Sequence, residues 1–438
     1  MKFVTGESKQ ATTYEQLAGG GRNNPVTVHG AVHALRDMGG LVFLTLRLAR
    51  GTVQCVCAPE TLPEGLCEEC CVELSGTVRE DDRAPGGFEI GVESAAVLSR
   101  PAAPMPVSLG KRKLELNLDT ALALRPAVLR HLRERAVFRV QEGLVRAFRE
   151  YLTGEGFTEV HTPKIVHAGA EGGSNIFKLD YFGKKAYLAQ SPQFYKQTMV
   201  GVFERVFEVG PVFRAEKHAT PRHLNEYTGL DFEMGYIGSF YDVIEVETGY
   251  LRYAMALLAR EYARELDLLG AELPDPSRIP CLRFDEAKRL AAEKYGYPIR
   301  DPYDLEPEEE VHIGRYAREK LGSDFVFVTH YPSKKRPFYA MDDPDDPKYT
   351  LSFDLLFRGM EVTTGGQRVH GYAEQVAKME ARGMDPAEFG SYLMIHRYGM
   401  PPHGGLGIGL ERLTMKLCGL DNVRHASLFP RDRSRLEP

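Results

Sequence analysis

Val212-Phe-Arg-Ala-Glu-Lys-His-Ala-Thr-Pro-Arg-His-Leu-Asn-Glu-Tyr-Thr-Gly-Leu-Asp-Phe-Glu-Met234 reads as a strand, a charged loop and a return strand. Leu230, Phe232 and Met234 alternate with Asp231 and Glu233, the period of a strand with one apolar and one polar face. Arg214 and Glu216 are spaced to share one face of the outgoing strand, and Arg222 and His223 stand in the loop. Charged groups fixed on a sheet face suit a polyanion, because a guanidinium offers a planar fork of donors that matches phosphate oxygens.

Working outward, Gly404-Gly-Leu-Gly-Ile-Gly-Leu-Glu-Arg412 is the second informative stretch. Its spacing puts Gly405, Gly407 and Gly409 on one strand face, where a flat ligand or another backbone can approach closely. Arg412 then opens a helical pattern, a place where backbone N–H groups and a cation favour phosphate. The spacing differs from the dinucleotide-binding Gly-x-Gly-x-x-Gly, and no Walker-type Gly-Lys-Ser/Thr occurs.

Together these segments resemble motifs 2 and 3 of the class II aminoacyl-tRNA synthetases. Motif 1 of that class, a long helix followed by a strand ending in proline, is matched by Arg135–Leu152 and by Phe157-Thr-Glu-Val-His-Thr-Pro163. Within the class, Gln190-Ser-Pro-Gln-Phe-Tyr-Lys196, Arg222-His-Leu-Asn-Glu226, Gly365-Gly-Gln-Arg368 and Tyr398-Gly-Met-Pro-Pro-His-Gly404 resemble aspartyl-tRNA synthetases of the archaeal type, including the second, non-discriminating kind found in bacteria. The resemblance runs from residue 24 to the end, with the motifs in the family's order.

The bulk properties agree. A chain of 438 residues, 43% hydrophobic and 26% charged, predicts two or three globular domains. With a net charge of −6, nucleic-acid contact must come from local basic patches. No apolar run is long enough to span a membrane, and Met1–Asn24 is polar and Gly-rich without a signal-peptide core, so a cytoplasmic protein is expected. Cys67-x-x-Cys70 has the spacing of half a zinc site, whereas Cys55 and Cys57 alternate in an apolar strand and read as small core residues.

The predicted fold class is α+β. Residues 1–22 form a flexible N-terminal extension. Residues 23–100 carry five short strands, an OB-fold barrel for the anticodon: 26–32, 41–48, 52–57, 72–78 and 88–98. Residues 101–134 are a hinge or linker, opening on the Pro-rich Arg100–Pro106. Residues 135–438 form the catalytic domain, an antiparallel sheet flanked by helices, with helical periodicity at 135–152, 240–266, 285–294, 312–321 and 371–383.

The resemblance implies an ATP-dependent ligase that uses Mg²⁺, forms aspartyl-adenylate and transfers aspartate to tRNA. It implies that Lys196 and Arg368 bind the side-chain carboxylate of L-aspartate, and that Glu171 and Gln193 contact the rest of the amino acid. A buried arginine and lysine suit a carboxylate, because a neutral amide would leave them unpaired. Arg214 and Arg412 are the implied catalytic residues, Arg214 at the α-phosphate and the aspartate carboxylate, and Arg412 at the γ-phosphate and over the adenine face. Glu216, Arg222, His223, Leu224 and Gly409 complete the ATP site. Glu361 and Thr364 are the implied metal ligands, with Thr364 also beside aspartate; the family often has serine there, and Asp354 is another candidate oxygen donor. No side-chain nucleophile is needed, since the substrate carboxylate attacks, and catalysis is positioning plus charge neutralisation.

In the barrel, Phe43 and Gln54 match the family's anticodon readers, one stacking a base and one reading its edge. The family commonly has Arg-Asp after this strand; here Arg47 is followed by Leu48. Relatives restricted to aspartate tRNA usually carry Trp and Lys where His33 and Pro85 stand, and relaxed members carry His and Pro. A ligase for both tRNA(Asp) and tRNA(Asn) is therefore expected. The alternatives are a discriminating enzyme, an asparaginyl-tRNA synthetase, a tRNA-independent asparagine synthetase and a non-catalytic tRNA-binding paralogue. By resemblance the protein is a homodimer, and a tRNA-dependent amidotransferase is a possible partner.

Overall fold

Alternating apolar residues close the first sheet into a barrel. In the computed structural model, which describes residues 11–20, 23–167, 175–217 and 220–438, the chain divides into two compact units, Met1–His131 and Leu132–Pro438. In the first unit, β1 (Pro25–Asp37), β2 (Val42–Arg47), β3 (Thr52–Cys57), β4 (Cys71–Glu80) and β5 (Phe88–Ser99) pair in the order β1-β2-β3-β5-β4. Inward positions such as Val28, Leu44, Leu46, Val53, Cys55 and Ile90 fill the barrel. Cys55 and Cys57 are buried among them, as their alternation predicts.

Two parts of the first unit depart from expectation. Within the extension expected to be flexible, Tyr14–Gly19 is a helix, capped by Thr13 and Gln16, that seats Leu17 in the barrel core. A capping box satisfies two orphan N–H groups, and the buried leucine anchors the turn. The stretch expected as a hinge contains helices at Leu118–Ala123 and Arg125–Val128, and Val107, Leu109 and Val128 form a small core of their own. Its mixed signals conceal local order because each element is only one or two turns long.

The second unit contains β6 (Thr158–Glu159), β7 (Ile165–Val166), β8 (Lys178–Tyr181), β9 (Lys184–Leu188), β10 (Arg205–Phe213), β11 (Glu226–Gly235), β12 (Cys281–Arg283), β13 (Phe325–Thr329), β14 (Ser352–Phe357), β15 (Met360–Arg368) and β16 (His403–Gly409). An eight-stranded sheet runs β12-β13-β14-β15-β16-β11-β10-β6. The strands from β13 to β10 are antiparallel to their neighbours; β12 and β6 add parallel edges.

Side-chain alternation assigns the faces of this sheet. Leu230, Phe232 and Met234 of β11, Leu406 and Ile408 of β16, and Phe353, Leu355 and Phe357 of β14 pack on one side. Helix Leu132–Gly154 covers them with Val137, Val140, Leu144, Ala147 and Phe148, the i, i+3, i+4 spacing of an amphipathic face. The ring of Phe148 meets Tyr250 and Phe207 edge-on at 5.1 and 5.8 Å. The other face of the central strands is left for polar groups.

Helix Pro307–Leu321 approaches the Arg358–Gly359 turn between β14 and β15 closely. A Cβ on Gly314 would collide with the Gly359 backbone, which has no flexible atoms to yield. Gly314→Ala is therefore expected to lower the unfolding free energy by about 1–3 kcal/mol, the usual cost of overpacking. A lower midpoint in urea denaturation checks this.

Candidate active site

On the polar face of β11, Asp231 and Glu233 point away from the core. Lys196, on helix Gln193–Phe203, donates from Nζ to Asp231 Oδ2 at 2.8 Å and to the Leu406 carbonyl at 2.7 Å, and lies 3.4 Å from Glu233 Oε2. Arg368, at the end of β15, donates through Nε to Glu233 Oε1 at 2.8 Å and through Nη2 to the Gly405 carbonyl at 2.8 Å. Lys196 is 1% exposed and Arg368 5%. Burial pushes the Glu233 carboxyl up, but Arg368 and Lys196 outweigh it and hold the group below the usual carboxylate range.

Glycine makes this cluster possible. A Cβ at Gly405 would collide with the Phe232 carbonyl and the Glu233 carboxylate, and one at Gly407 would lie 3.0 Å from Asp231 Oδ2. The glycine face of β16 thus admits two acids rather than a flat ligand. Of the three alternating glycines, Gly409 has the most open surroundings, its added Cβ meeting nothing nearer than Arg412 carbons at 3.8 Å. From the sequence, Lys196 and Arg368 are expected to await a carboxylate. The structure places both on a cleft of about 460 Å³, already neutralised by Asp231 and Glu233. The signal for those acids lies in the alternation of β11, which by itself marks only a polar face.

The same cleft gathers the other motif residues. Arg214 and Glu216 line it, though not from a strand face. Strand β10 ends at Phe213, where the ladder pairs Phe213 with Glu226. Beyond it, the Asn225 side-chain amide donates to the carbonyls of Arg214 at 2.7 Å and Glu216 at 3.3 Å and draws the chain out of the ladder. The Arg214 guanidinium lies 5.9 Å from the Tyr227 ring centre.

Arg222 Nη2 forks onto Glu310 Oε1 and Oε2 at 2.9 and 2.7 Å. Glu310 also accepts from the Glu361 N–H at 2.9 Å, so helix Pro307–Leu321 ties the motif 2 loop to β15. Arg412 donates through Nε to the Arg222 carbonyl at 3.1 Å, and its Nη1 lies 3.3 Å from Glu361 Oε1. His223 Nδ1 is 2.6 Å from Thr220 Oγ1. Burial, reinforced by Arg412 and Arg222, pushes the His223 imidazole down to about 4, so the ring is neutral at physiological pH. Leu224 is buried against Met415 and Val423 and lines the cleft beside Gly409.

Glu361 and Thr364 are three residues apart in a strand, a separation that ordinarily places side chains on opposite faces. A bulge resolves this. The register slips so that Leu355 pairs with Thr363 and Leu356 with Glu361, leaving Val362 as the extra residue. Both side chains then reach the cleft, with Thr364 Oγ1 3.4 Å from Glu361 Oε1. Burial raises the Glu361 carboxyl, but Arg412, Arg222, Arg336 and Arg214 together hold it below its usual range. Asp354, the cross-strand partner of Thr364, is paired with Arg336 at 2.8 Å and pushed up to about 6, chiefly by burial.

The Glu361 carboxylate and the Thr364 hydroxyl are adjacent oxygen donors of the kind that fit a Mg²⁺ ion, which takes one or two protein ligands and fills its sphere with phosphate oxygens and water. Among the described residues no group of three or more His, Cys, Asp or Glu is placed to hold a metal, so the Cys67/Cys70 pair gains no further zinc ligands there.

Gln193 and Gln190 line the same cleft as Lys196. Among the described residues, buried Gln193 Nε2 and Gln190 Oε1 find no hydrogen-bond partner, one donor and one acceptor on the cleft. Gln190 stands in a quoted motif, but no role was drawn for it from the sequence. Glu171 lies outside the described residues.

In the barrel, Phe43 and Gln54 face outward from β2 and β3 and are half-buried. Gln54 Nε2 donates to Glu89 Oε2 at 2.8 Å, and Arg36 stands directly across from Phe43. Arg36 and Glu89 therefore share the outward face, a grouping visible only once the strands are registered. Pro85 is exposed in the loop before β5. His33 is not: it is 9% exposed, with Nδ1 3.3 Å from Arg47 Nη1, and Arg47 is bound at both nitrogens to Glu69 at 2.7 Å. Leu48, in the position where aspartate is common, fills the barrel core.

Removing one partner of a buried ion pair strands the other charge. Glu233→Ala is expected to destabilise the second unit by about 3–5 kcal/mol. Chemical denaturation of the purified variant measures this, and a loss under 1 kcal/mol would contradict the pairing.

The site has the parts of an adenylate-forming ligase on an antiparallel sheet, and similarity to known proteins agrees. Residues 117–433 match the family model of tRNA synthetases class II (D, K and N), and residues 26–98 match that of the OB-fold nucleic acid binding domain. The chain belongs to the class II tRNA synthetases of the D, K and N group. It is 50% identical to the Aspartate–tRNA(Asp/Asn) ligase of Deinococcus radiodurans, over 94% of this chain and 95% of that one. It is also 50% identical to the protein of that name from Thermus thermophilus, over 94% and 96%. Among solved structures, asparaginyl-tRNA synthetase from Pyrococcus horikoshii with asparaginyl-adenylate is 31% identical, with a TM-score of 0.89 over 98% of this chain and all of that one.

Proposed function

We propose that this protein is an aspartate–tRNA ligase that charges both tRNA(Asp) and tRNA(Asn). The observation that carries the amino-acid assignment is the buried Lys196–Asp231–Glu233–Arg368 cluster on the cleft. Its two cations offer an incoming carboxylate donors already desolvated and held in place. An amide in the same position would turn its own N–H groups toward them.

Aspartate's α-carboxylate attacks the α-phosphorus of ATP, the bond to the bridging oxygen breaks, and pyrophosphate leaves. Arg214 meets the charge that grows on the α-phosphate, and Arg412 holds the γ-phosphate. Neutral His223, Glu216 and the forked Arg222 position the nucleotide, with Leu224 and Gly409 beside them. Gln193 supplies its free donor to the amino acid, and Glu171 takes the ammonium. A terminal ribose hydroxyl of tRNA then attacks the acyl carbonyl and AMP departs. A Mg²⁺ ion, held by Glu361 and Thr364, would offset phosphate charge when bound.

The barrel's outward face takes the anticodon, with Phe43 stacking a base and Gln54, beside Glu89 and Arg36, reading an edge. Relaxed specificity rests on His33 and Pro85, which stand where restricted relatives carry Trp and Lys. Proline has neither side-chain donor nor backbone N–H and leaves the third anticodon base weakly read. A homodimer is proposed from the motif 1 helix and strand, and a cytoplasmic setting from the substrates; no helix among the described residues is long and apolar enough to cross a membrane. Aspartate on tRNA(Asn) requires a tRNA-dependent amidotransferase to complete it.

Arg214→Ala is expected to abolish aspartate-dependent pyrophosphate exchange while leaving the fold intact by circular dichroism; near-normal exchange would remove Arg214 from the chemistry. Lys196→Ala and Arg368→Ala should each weaken aspartate by about 2–5 kcal/mol, with the ATP constant little changed. If the ATP constant moves instead, the amino-acid pocket is misplaced. Aminoacylation of the two tRNAs with aspartate should proceed at rates within about tenfold, or about 1.4 kcal/mol, of each other. Pro85→Lys should selectively slow charging of tRNA(Asn); a wild-type preference for tRNA(Asp) of about a hundredfold (2.7 kcal/mol) identifies a discriminating enzyme instead.

A further inference from the structure

Cys67 and Cys70 bracket a tight turn just before β4. The Cys70 N–H donates to the Cys67 carbonyl at 3.2 Å, an i to i+3 closure that keeps the two Cα atoms within disulfide reach. The two sulfur atoms face each other at 3.5 Å. Cys67 is exposed and Cys70 is fully buried, an arrangement of one accessible thiol with a second behind it. Between them, Glu69 holds a left-handed backbone with φ of 68°, a strained conformation for a residue with a side chain.

That strained residue is also a structural hub. The Glu69 carboxylate binds Arg47 at both nitrogens and Arg130 at 2.9 Å. The turn is tied to β1 by two backbone bonds at one residue: Glu69 N–H to the Val32 carbonyl at 2.8 Å, and Val32 N–H to the Cys70 carbonyl at 2.9 Å. The next residue is His33, whose ring meets Arg47.

We propose that Cys67 and Cys70 form a reversible dithiol–disulfide site open to small-molecule disulfides, and that its state is transmitted through Glu69 to Arg47 and His33. The Cys67 thiolate attacks one sulfur of the small disulfide, which leaves as a thiolate and gives a mixed disulfide. The Cys70 thiol loses its proton and attacks Cys67 Sγ, expelling the second small thiolate. Two protein thiols are oxidised, and one disulfide is reduced to two thiols. Closing the bond brings the sulfur atoms from 3.5 Å to about 2.05 Å. The turn that carries Glu69 must take up that movement. The mutual contact with Cys70 holds the Cys67 thiol above its usual range, so exchange should quicken toward alkaline pH.

The test equilibrates the full-length protein with mixtures of reduced and oxidised glutathione, traps free thiols with an alkylating agent and maps the peptides by mass. The expected result is loss of alkylation at Cys67 and Cys70 together, with a linked peptide, and recovery with dithiothreitol. Oxidation should also shift the half-saturating tRNA concentration severalfold while leaving aspartate-dependent pyrophosphate exchange unchanged. Cys67→Ser should lose both responses. Glu69→Gln should keep the disulfide and lose the tRNA shift. Continued alkylation of both cysteines under excess oxidised glutathione, or pairing with Cys71 instead, overturns the site. A disulfide without a tRNA shift, or a shift that survives Glu69→Gln, overturns the transmission. The tRNA readout rests on the role proposed for the barrel, but thiol trapping does not, so the two failures are distinguishable.

Discussion

The arrangement depends on keeping two cations and two carboxylates dry on one face of a sheet. An unpaired charge in such a place is costly, and each of Lys196, Arg368, Asp231 and Glu233 is tolerated because the others are present. The requirement reaches into the backbone. Strand β16 must carry glycine at 405 and 407, because any side chain there would occupy the volume of Glu233 or crowd Asp231. Lys196 must come from the first turn of a helix, and Arg368 from the end of a strand, so that their head groups converge from two sides.

A second network in the cleft, around Glu361, is built differently. There Glu361 is kept ionised by surrounding arginines, and Arg222 is held by Glu310 from a separate helix. Because Glu310 also accepts the Glu361 N–H, one carboxylate holds both the Arg222 loop and strand β15. The close packing of Gly314 on Gly359 keeps that helix in position. Preorganised charge of this kind stabilises a transition state without rearrangement during reaction.

Much of this was legible in the chain. Alternation identified the apolar and polar faces of β11, the glycine spacing identified β16, and short alternating strands separated by turns identified the barrel. What sequence could not reveal has physical causes. The bulge at Val362 places Glu361 and Thr364 together, yet one extra residue leaves no periodic trace. Past Phe213, the Asn225 side-chain amide takes the Arg214 carbonyl, a contact across a loop. Asp231 and Glu233 look like ordinary polar alternation until Lys196 and Arg368 are seen opposite them. His33 is buried against Arg47, fourteen residues away, beside a register shift in β1 between Val32 and Ala34.

The central claim is that the paired cations on the cleft select a carboxylate. Amino-acid-dependent pyrophosphate exchange, run with aspartate and with asparagine on the unmodified protein without tRNA, tests it most directly. Aspartate should support rapid exchange, and asparagine should fall below it by about a thousandfold, or about 4 kcal/mol. Comparable exchange with the two amino acids would contradict the account.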